Sequence, residues 1–119
     1  MIAWKDTREA RRAISDALPL LQKTRDIIVA EVIEDESQRE SSHARLDDVV
    51  RWLGRHGIAA SERVFDFPEG ENPVDKLWDY GADFVVAGAY GHTRLREWVF
   101  GGFTDSFLRR SPRCVFLAH

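Results

Sequence analysis

The sequence predicts a single α/β domain over residues 1–119, a doubly wound, five-stranded parallel sheet with helices on both faces. Three observations carry this. Short apolar runs recur five times along the chain. The intervals between them hold apolar residues at three- and four-residue steps, the signature of amphipathic helices, and strict alternation of the two implies a parallel sheet wound by right-handed crossovers. The second run, Ile27 to Ile33, is apolar nearly throughout, as a strand covered on both faces must be.

The first strand is read at Ile2-Ala3-Trp4 and ends at Lys5. Asp6, with Glu9 three residues later, has the spacing of a capping box and is expected to start the first helix. That helix runs to about Leu21, with Ala10, Ala13, Ile14, Ala17, Leu18 and Leu21 on one face; Pro19 is expected to kink it or end it early. After the second strand, Glu34 to Ser42 reads as a polar connection. Leu46, Val49, Val50 and Leu53 mark the second helix, which ends near Gly54 to Gly57, and Ile58 to Phe65 reads as the third strand. Asp66 to Asn72 is rich in turn formers, and Asn72-Pro73 is a capping residue followed by proline at the first helical position. Val74, Leu77 and Trp78 are expected to face the core, and Gly81 to cap the helix end. Asp83 to Gly88 is the fourth strand. A helix is expected from about Phe103 to Arg110, stopped by Ser111-Pro112, and Cys114 to Ala118 is the fifth strand.

Composition excludes several classes of function. The formal charge is −3, with acids and bases interspersed, so the chain lacks the basic face that nucleic-acid binding requires. No stretch approaches the ~20 apolar residues of a membrane helix, and the start lacks the basic-then-apolar pattern of a signal peptide. The single cysteine, Cys114, permits no internal disulfide and fits a reducing compartment, so a cytoplasmic location is expected. On a buried strand, Cys114 is read as an inert small hydrophobe, and Trp4 and Trp78 as core residues.

In open α/β sheets ligands bind beyond the C-terminal ends of the strands, where the strand order reverses. If the first and fourth strands are central neighbours, two loops meet there. One is Lys5-Asp6-Thr7. The other starts at Gly88 and runs through Gly91, Gly101, Gly102, Phe103 and Thr104. Gly88 and Gly91 allow close backbone approach to a ligand. Gly101 and Gly102 precede a helix whose free amides and positive dipole end suit an anion, with the Thr104 hydroxyl in the first turn. The sequence holds no Gly-x-x-x-x-Gly-Lys-Ser/Thr phosphate loop.

Gly88-x-x-Gly91, nine residues, and then Gly101 followed by the small residue Gly102 resembles the nucleotide loop of the universal stress proteins. The resemblance extends over nearly the whole chain, including the terminal Ser-Pro-Arg-Cys-Val-Phe-Leu. It implies strand order 3-2-1-4-5 and an ATP or related adenine-nucleotide site, with Mg2+, formed by Lys5, Asp6, Thr7, Val32 beneath the base, Gly88, Gly91, Gly101, Gly102, Phe103 and Thr104. It also implies a homodimer paired through the last strand, Cys114 to Ala118, or an equivalent pseudo-dimer in a tandem chain; an apolar strand at a sheet edge invites such pairing on physical grounds too. The sequence departs from the family pattern at two points. Lys5 stands where an aspartate is usual, and Gly102 where serine or threonine is usual.

Other readings stay open beside these. Lys5 has two, a phosphate contact or a solvated side chain, and Asp6 is more readily a helix cap than a ligand contact. Arg94 and Arg96 are either phosphate clamps or solvated loop charges. His92 lacks a nucleophile nearby in sequence, so the chain is read as regulatory rather than enzymatic, with at most slow ATP hydrolysis. Trp98, Val99 and Phe100 pack on the domain or on a partner. The alternative function is a dimeric protein-interaction module that no longer binds nucleotide.

Overall fold

The computed structural model describes residues 1–66, 73–88 and 114–118. Its elements run β1 (Ile2–Ala3), α1 (Arg8–Leu21), β2 (Ile27–Ile33), a 3₁₀ turn (Glu36–Gln38), α2 (Arg39–Arg55), β3 (Ala60–Asp66), α3 (Pro73–Asp79), β4 (Phe84–Gly88) and β5 (Cys114–Ala118). All strand pairs are parallel, and the order is β3-β2-β1-β4-β5.

Strand alternation sends side chains to two faces. On one face Ile2, Ile27, Val29 and Val86 pack with the apolar stripes of α1 (Ala13, Ile14, Ala17, Leu21) and α2 (Leu46, Val49, Leu53). On the other, Ala30, Val85 and Ala87 meet Leu77 and Trp78 of α3. The two clusters sandwich the sheet, so β1, β2 and β4 are hydrophobic on both sides.

The helix boundaries depart from the sequence reading in three places. The cap of α1 is Thr7, not Asp6: Thr7 is extended (φ −128°, ψ 158°) and its hydroxyl accepts from the Ala10 amide at 3.2 Å. Asp6 instead forms an exposed ion pair with Arg11. Pro19 does not end α1, which continues to Leu21. With the proline in the last turn, the lost amide removes one hydrogen bond near an end that frays anyway. The helix closes through the Gln22 amide, which donates to the Leu18 carbonyl at 2.9 Å.

The third departure is the start of α2, seven residues before the apolar stripe begins at Leu46. Its entry is the 3₁₀ turn. There Asp35 accepts from the Ser37 amide at 2.8 Å, and the Gln38 side chain accepts from the Asp35 amide at 3.3 Å, a reciprocal cap. Arg39 ties this turn to Glu36 and to Asp66 at the end of β3. β3 itself runs from Ala60 to Asp66, shifted by one or two residues from the expected Ile58–Phe65. Gly81 closes the segment after α3 with φ +101°, a conformation that favours glycine. Leu77 and Trp78 are buried as expected; the side chain of Val74, the turn at 67–72 with the Asn72 cap, and the helix expected at 103–110 lie outside the described residues.

Candidate functional site

From β1 the chain winds toward β2 and β3, and from β4 toward β5, so the order reverses between β1 and β4. Ala3 pairs with Ala87, which brings the ends of the two strands side by side. Beyond Ala3, the Trp4 amide still donates to the Ala30 carbonyl at 2.7 Å, holding the chain against β2 for one more residue. Trp4 is buried in the core, although it lies past the end of β1. The chain then turns sharply. The Thr7 amide donates to the Lys5 carbonyl at 2.7 Å, and the Thr7 carbonyl accepts from Arg11 as α1 begins.

This turn places the start of α1 directly over the end of β4. A Cβ built on Gly88 would lie 2.5 Å from the Ala10 nitrogen, 2.6 Å from the Glu9 carbonyl carbon and 2.9 Å from the Ala10 Cα. These are backbone atoms, so the first turn of α1 can sit where it does only because residue 88 has no side chain. Gly88 thus brings the helix start, with its positive dipole end, to the mouth of the β1/β4 crevice.

Of the residues expected at a ligand site, Lys5, Asp6, Thr7, Val32 and Gly88 are described, and Lys5, Asp6, Thr7 and Gly88 gather at this crevice. Lys5 is exposed and pairs with no described acid. The Thr7 hydroxyl is engaged as the helix cap. Val32 is half-buried one strand over, in register with Phe65 near the end of β2. Alternation turns it to the face opposite Glu31. Gly91, His92, Arg94, Arg96, the Trp98 to Phe100 cluster, Gly101, Gly102, Phe103 and Thr104 lie outside the described residues. Among the described residues, no group of three or more His, Cys, Asp or Glu side chains is placed to hold a metal ion, and no helix is long and apolar enough to cross a membrane.

One polar feature escaped the sequence reading. Glu31 in the middle of β2 is 7% exposed. It accepts from the Ser42 hydroxyl at 2.6 Å and from Arg45 at 2.9 and 3.3 Å, so its charge is neutralised within the fold. The signal was present as an acid inside an otherwise apolar strand, whose buried charge demands a partner. Cys114 is also corrected: it is exposed at the start of the edge strand, not buried.

Topology and crevice together define a doubly wound α/β domain with the fold of the universal stress proteins. No protein-family model matches the sequence, and no curated protein matches it. Solved structures do. The hypothetical protein MJ0577 superimposes with a TM-score of 0.71 at 18% identity, covering 98% of this chain and 93% of that one. A universal stress protein family member from Burkholderia pseudomallei gives 0.66 at 21% identity, over 98% of this chain and 92% of its own. The universal stress protein UspA from Lactobacillus plantarum gives 0.68 at 16% identity, over 99% and 96%. Identities this low establish the shared fold.

Proposed function

We propose that this chain is a universal stress protein that binds ATP or a related adenine nucleotide at the β1/β4 crevice and acts as a stress-response regulator rather than an enzyme. The observation that carries the reading is the seating of α1 on Gly88, which puts a helix N-terminus at the switch point. The glycine-spaced loop leaves the same strand end. Helix-start amides and a glycine loop meeting at a switch point form a phosphate cradle built from backbone. In this site Val32 would lie beneath the base and Lys5 would meet phosphate charge; by the sequence pattern, the Gly101 and Gly102 amides and the Thr104 hydroxyl would hold the phosphates, and Mg2+ would supply further neutralisation of their charge. Hydrolysis would be slow on this reading, because the sequence offers only His92 as a base and no nucleophile near it.

The domain works as a cytoplasmic homodimer. β5 is an edge strand paired only with β4 among the described strands, and Val115, Phe116 and Leu117 remain partly exposed. Such an edge is completed by a second copy.

The test is calorimetry with Mg-ATP on protein stripped of copurified nucleotide. Micromolar binding that weakens at least about tenfold in Gly101→Val supports the reading. Absence of binding at millimolar ATP refutes it and favours the second reading, a dimeric interaction module. The specific observation for that alternative is Lys5, which supplies a cation where a nucleoside hydroxyl needs an acceptor.

A further inference from the structure

Val32 has an aromatic neighbour in the sheet. It is the penultimate residue of β2, and it pairs with Phe65, the penultimate residue of β3. Partners in a parallel ladder point to the same face. Phe65 packs on the rim of the α3 cluster, so both side chains lie on the α3 side of the sheet, opposite Glu31. Adjacent strands are about 4.8 Å apart. Val32 and Phe65 therefore form one continuous apolar step at the C-terminal edge, two strands wide. Both are half-buried, and among the described residues Val32 packs against neither core cluster.

The Phe65 ring is braced. It meets Tyr80 in a T-shaped contact, with ring centroids 5.2 Å apart and planes at 72°. The Tyr80 hydroxyl in turn accepts from the Arg63 guanidinium at 3.0 Å. A T-shaped contact takes up at most one face of the Phe65 ring. Packing on the α3 cluster asks only for an apolar side chain at this position, and leucine would meet that need. A flat ring, braced on one side and set beside Val32, is suited to stacking on a base.

We propose that Phe65 completes the base site and selects purine over pyrimidine nucleotides. The proposal rests on the nucleotide reading above. Phosphates at the β1/β4 crevice would put the sugar near β1 and the base over β2, and the strand order places β3 next in line. A purine is joined to its sugar through its five-membered ring, so its six-membered ring lies outermost and would reach Phe65. A pyrimidine has no second ring and would end over Val32.

The experiment is calorimetry with Mg-ATP and Mg-CTP, which share a triphosphate and an exocyclic amine, on protein stripped of copurified nucleotide. Wild-type protein should bind ATP about tenfold more tightly than CTP. Phe65→Leu should weaken ATP about tenfold and CTP less than about twofold, and Phe65→Tyr should retain ATP binding. A role in packing alone would lower the thermal midpoint and leave the ratio of the two affinities unchanged. In the unmodified protein saturated with ATP, nuclear Overhauser contacts are expected between the Phe65 ring protons and adenine H2, on the outer ring. Four results would overturn the proposal while leaving nucleotide binding in place: CTP bound as tightly as ATP, full ATP affinity in Phe65→Leu, equal losses for both nucleotides in that variant, or no such contacts. Wild-type protein that binds neither nucleotide at millimolar concentration would overturn the nucleotide reading itself, and this proposal with it.

Discussion

Substitution of Gly88 by alanine tests the central geometric claim, that the start of α1 is seated on the end of β4. The added Cβ falls 2.5 Å from the Ala10 nitrogen, against 3.4 Å for the onset of ordinary contact. The helix must therefore retreat by roughly 1 Å or the strand must bend. Rotation of a flexible side chain cannot relieve the clash, because all three nearest atoms are backbone. Overpacking in a close-packed interior costs about 1–3 kcal/mol, and a backbone clash belongs at the upper end.

A loss of about 3 kcal/mol is expected, which for a domain of this size lowers the thermal midpoint by about 10–15 °C. Gly54→Ala is the control. Gly54 lies near the end of α2, has no neighbour within 4 Å of an added Cβ and is not among the residues with positive φ. Alanine there should raise stability by up to about 1 kcal/mol through the glycine's lost backbone entropy. Urea denaturation of both variants gives the two numbers in one assay. Destabilisation below about 1 kcal/mol in Gly88→Ala would refute the packing argument, and with it the placement of the helix N-terminus at the crevice.

Three further outcomes follow from the same structure. Thr7→Ala should destabilise by about 1 kcal/mol, because the hydroxyl satisfies the Ala10 amide; Asp6→Ala should cost a few tenths at most, its ion pair with Arg11 being exposed, and chemical denaturation that ranked the two the other way would return the cap to Asp6. Glu31→Ala should cost about 2–3 kcal/mol, since it strips Ser42 and Arg45 of their shared acceptor; the figure sits below that for a fully buried pair because Arg45 is 34% exposed, and Glu31→Ala combined with Arg45→Met should recover part of it. The Met1 amine donates to the Phe84 carbonyl at 2.7 Å, and its burial holds its pKa below the ordinary 8.0 despite the opposing field of Asp83. The unfolded chain then binds more protons between the folded value and 8.0, so stability should rise with pH through that window and level off above it, which thermal melts across the window would show or deny.

The alternation of strand and helix patterns was enough to order the elements, because burial on two faces leaves a strand almost wholly apolar, Glu31 in β2 being tolerated only with Ser42 and Arg45 against it. β2 was legible to the residue for that reason. The ends were harder. α2 begins seven residues before its apolar stripe, where Glu36, Gln38 and Arg39 bind one another and the stripe is silent. The cap of α1 moved from Asp6 to Thr7 because both side chains suit the role and only the turn after Trp4 decides between them. At the candidate site the convergence of Lys5, Asp6, Thr7 and Gly88 was foreseeable from topology. That Gly88 serves by admitting a neighbouring helix was not, since nothing local to Gly88 reveals which backbone crosses it.

That packing role bears on how the crevice can keep its shape when its side chains change. At 16–21% identity to proteins of the same fold, few side chains are shared, yet the features that aim backbone amides at the crevice depend on few of them. They need a glycine under the helix, a capping hydroxyl at Thr7 and a strand order that reverses between β1 and β4. Lys5 changes the charge at the rim without touching any of the three, because it is exposed and α1 is fixed by Thr7 and Gly88 beneath it. On the proposed nucleotide reading, a cation there would offer a nucleoside no acceptor and would add attraction for phosphate. Phosphate attraction is long-ranged and falls with ionic strength, whereas a hydrogen bond to a ribose hydroxyl is not screened in this way. If the crevice takes a nucleotide as proposed, Lys5 would move the weight of recognition from the sugar toward the phosphates, while the turn of Thr7 and the seat on Gly88 stay the same.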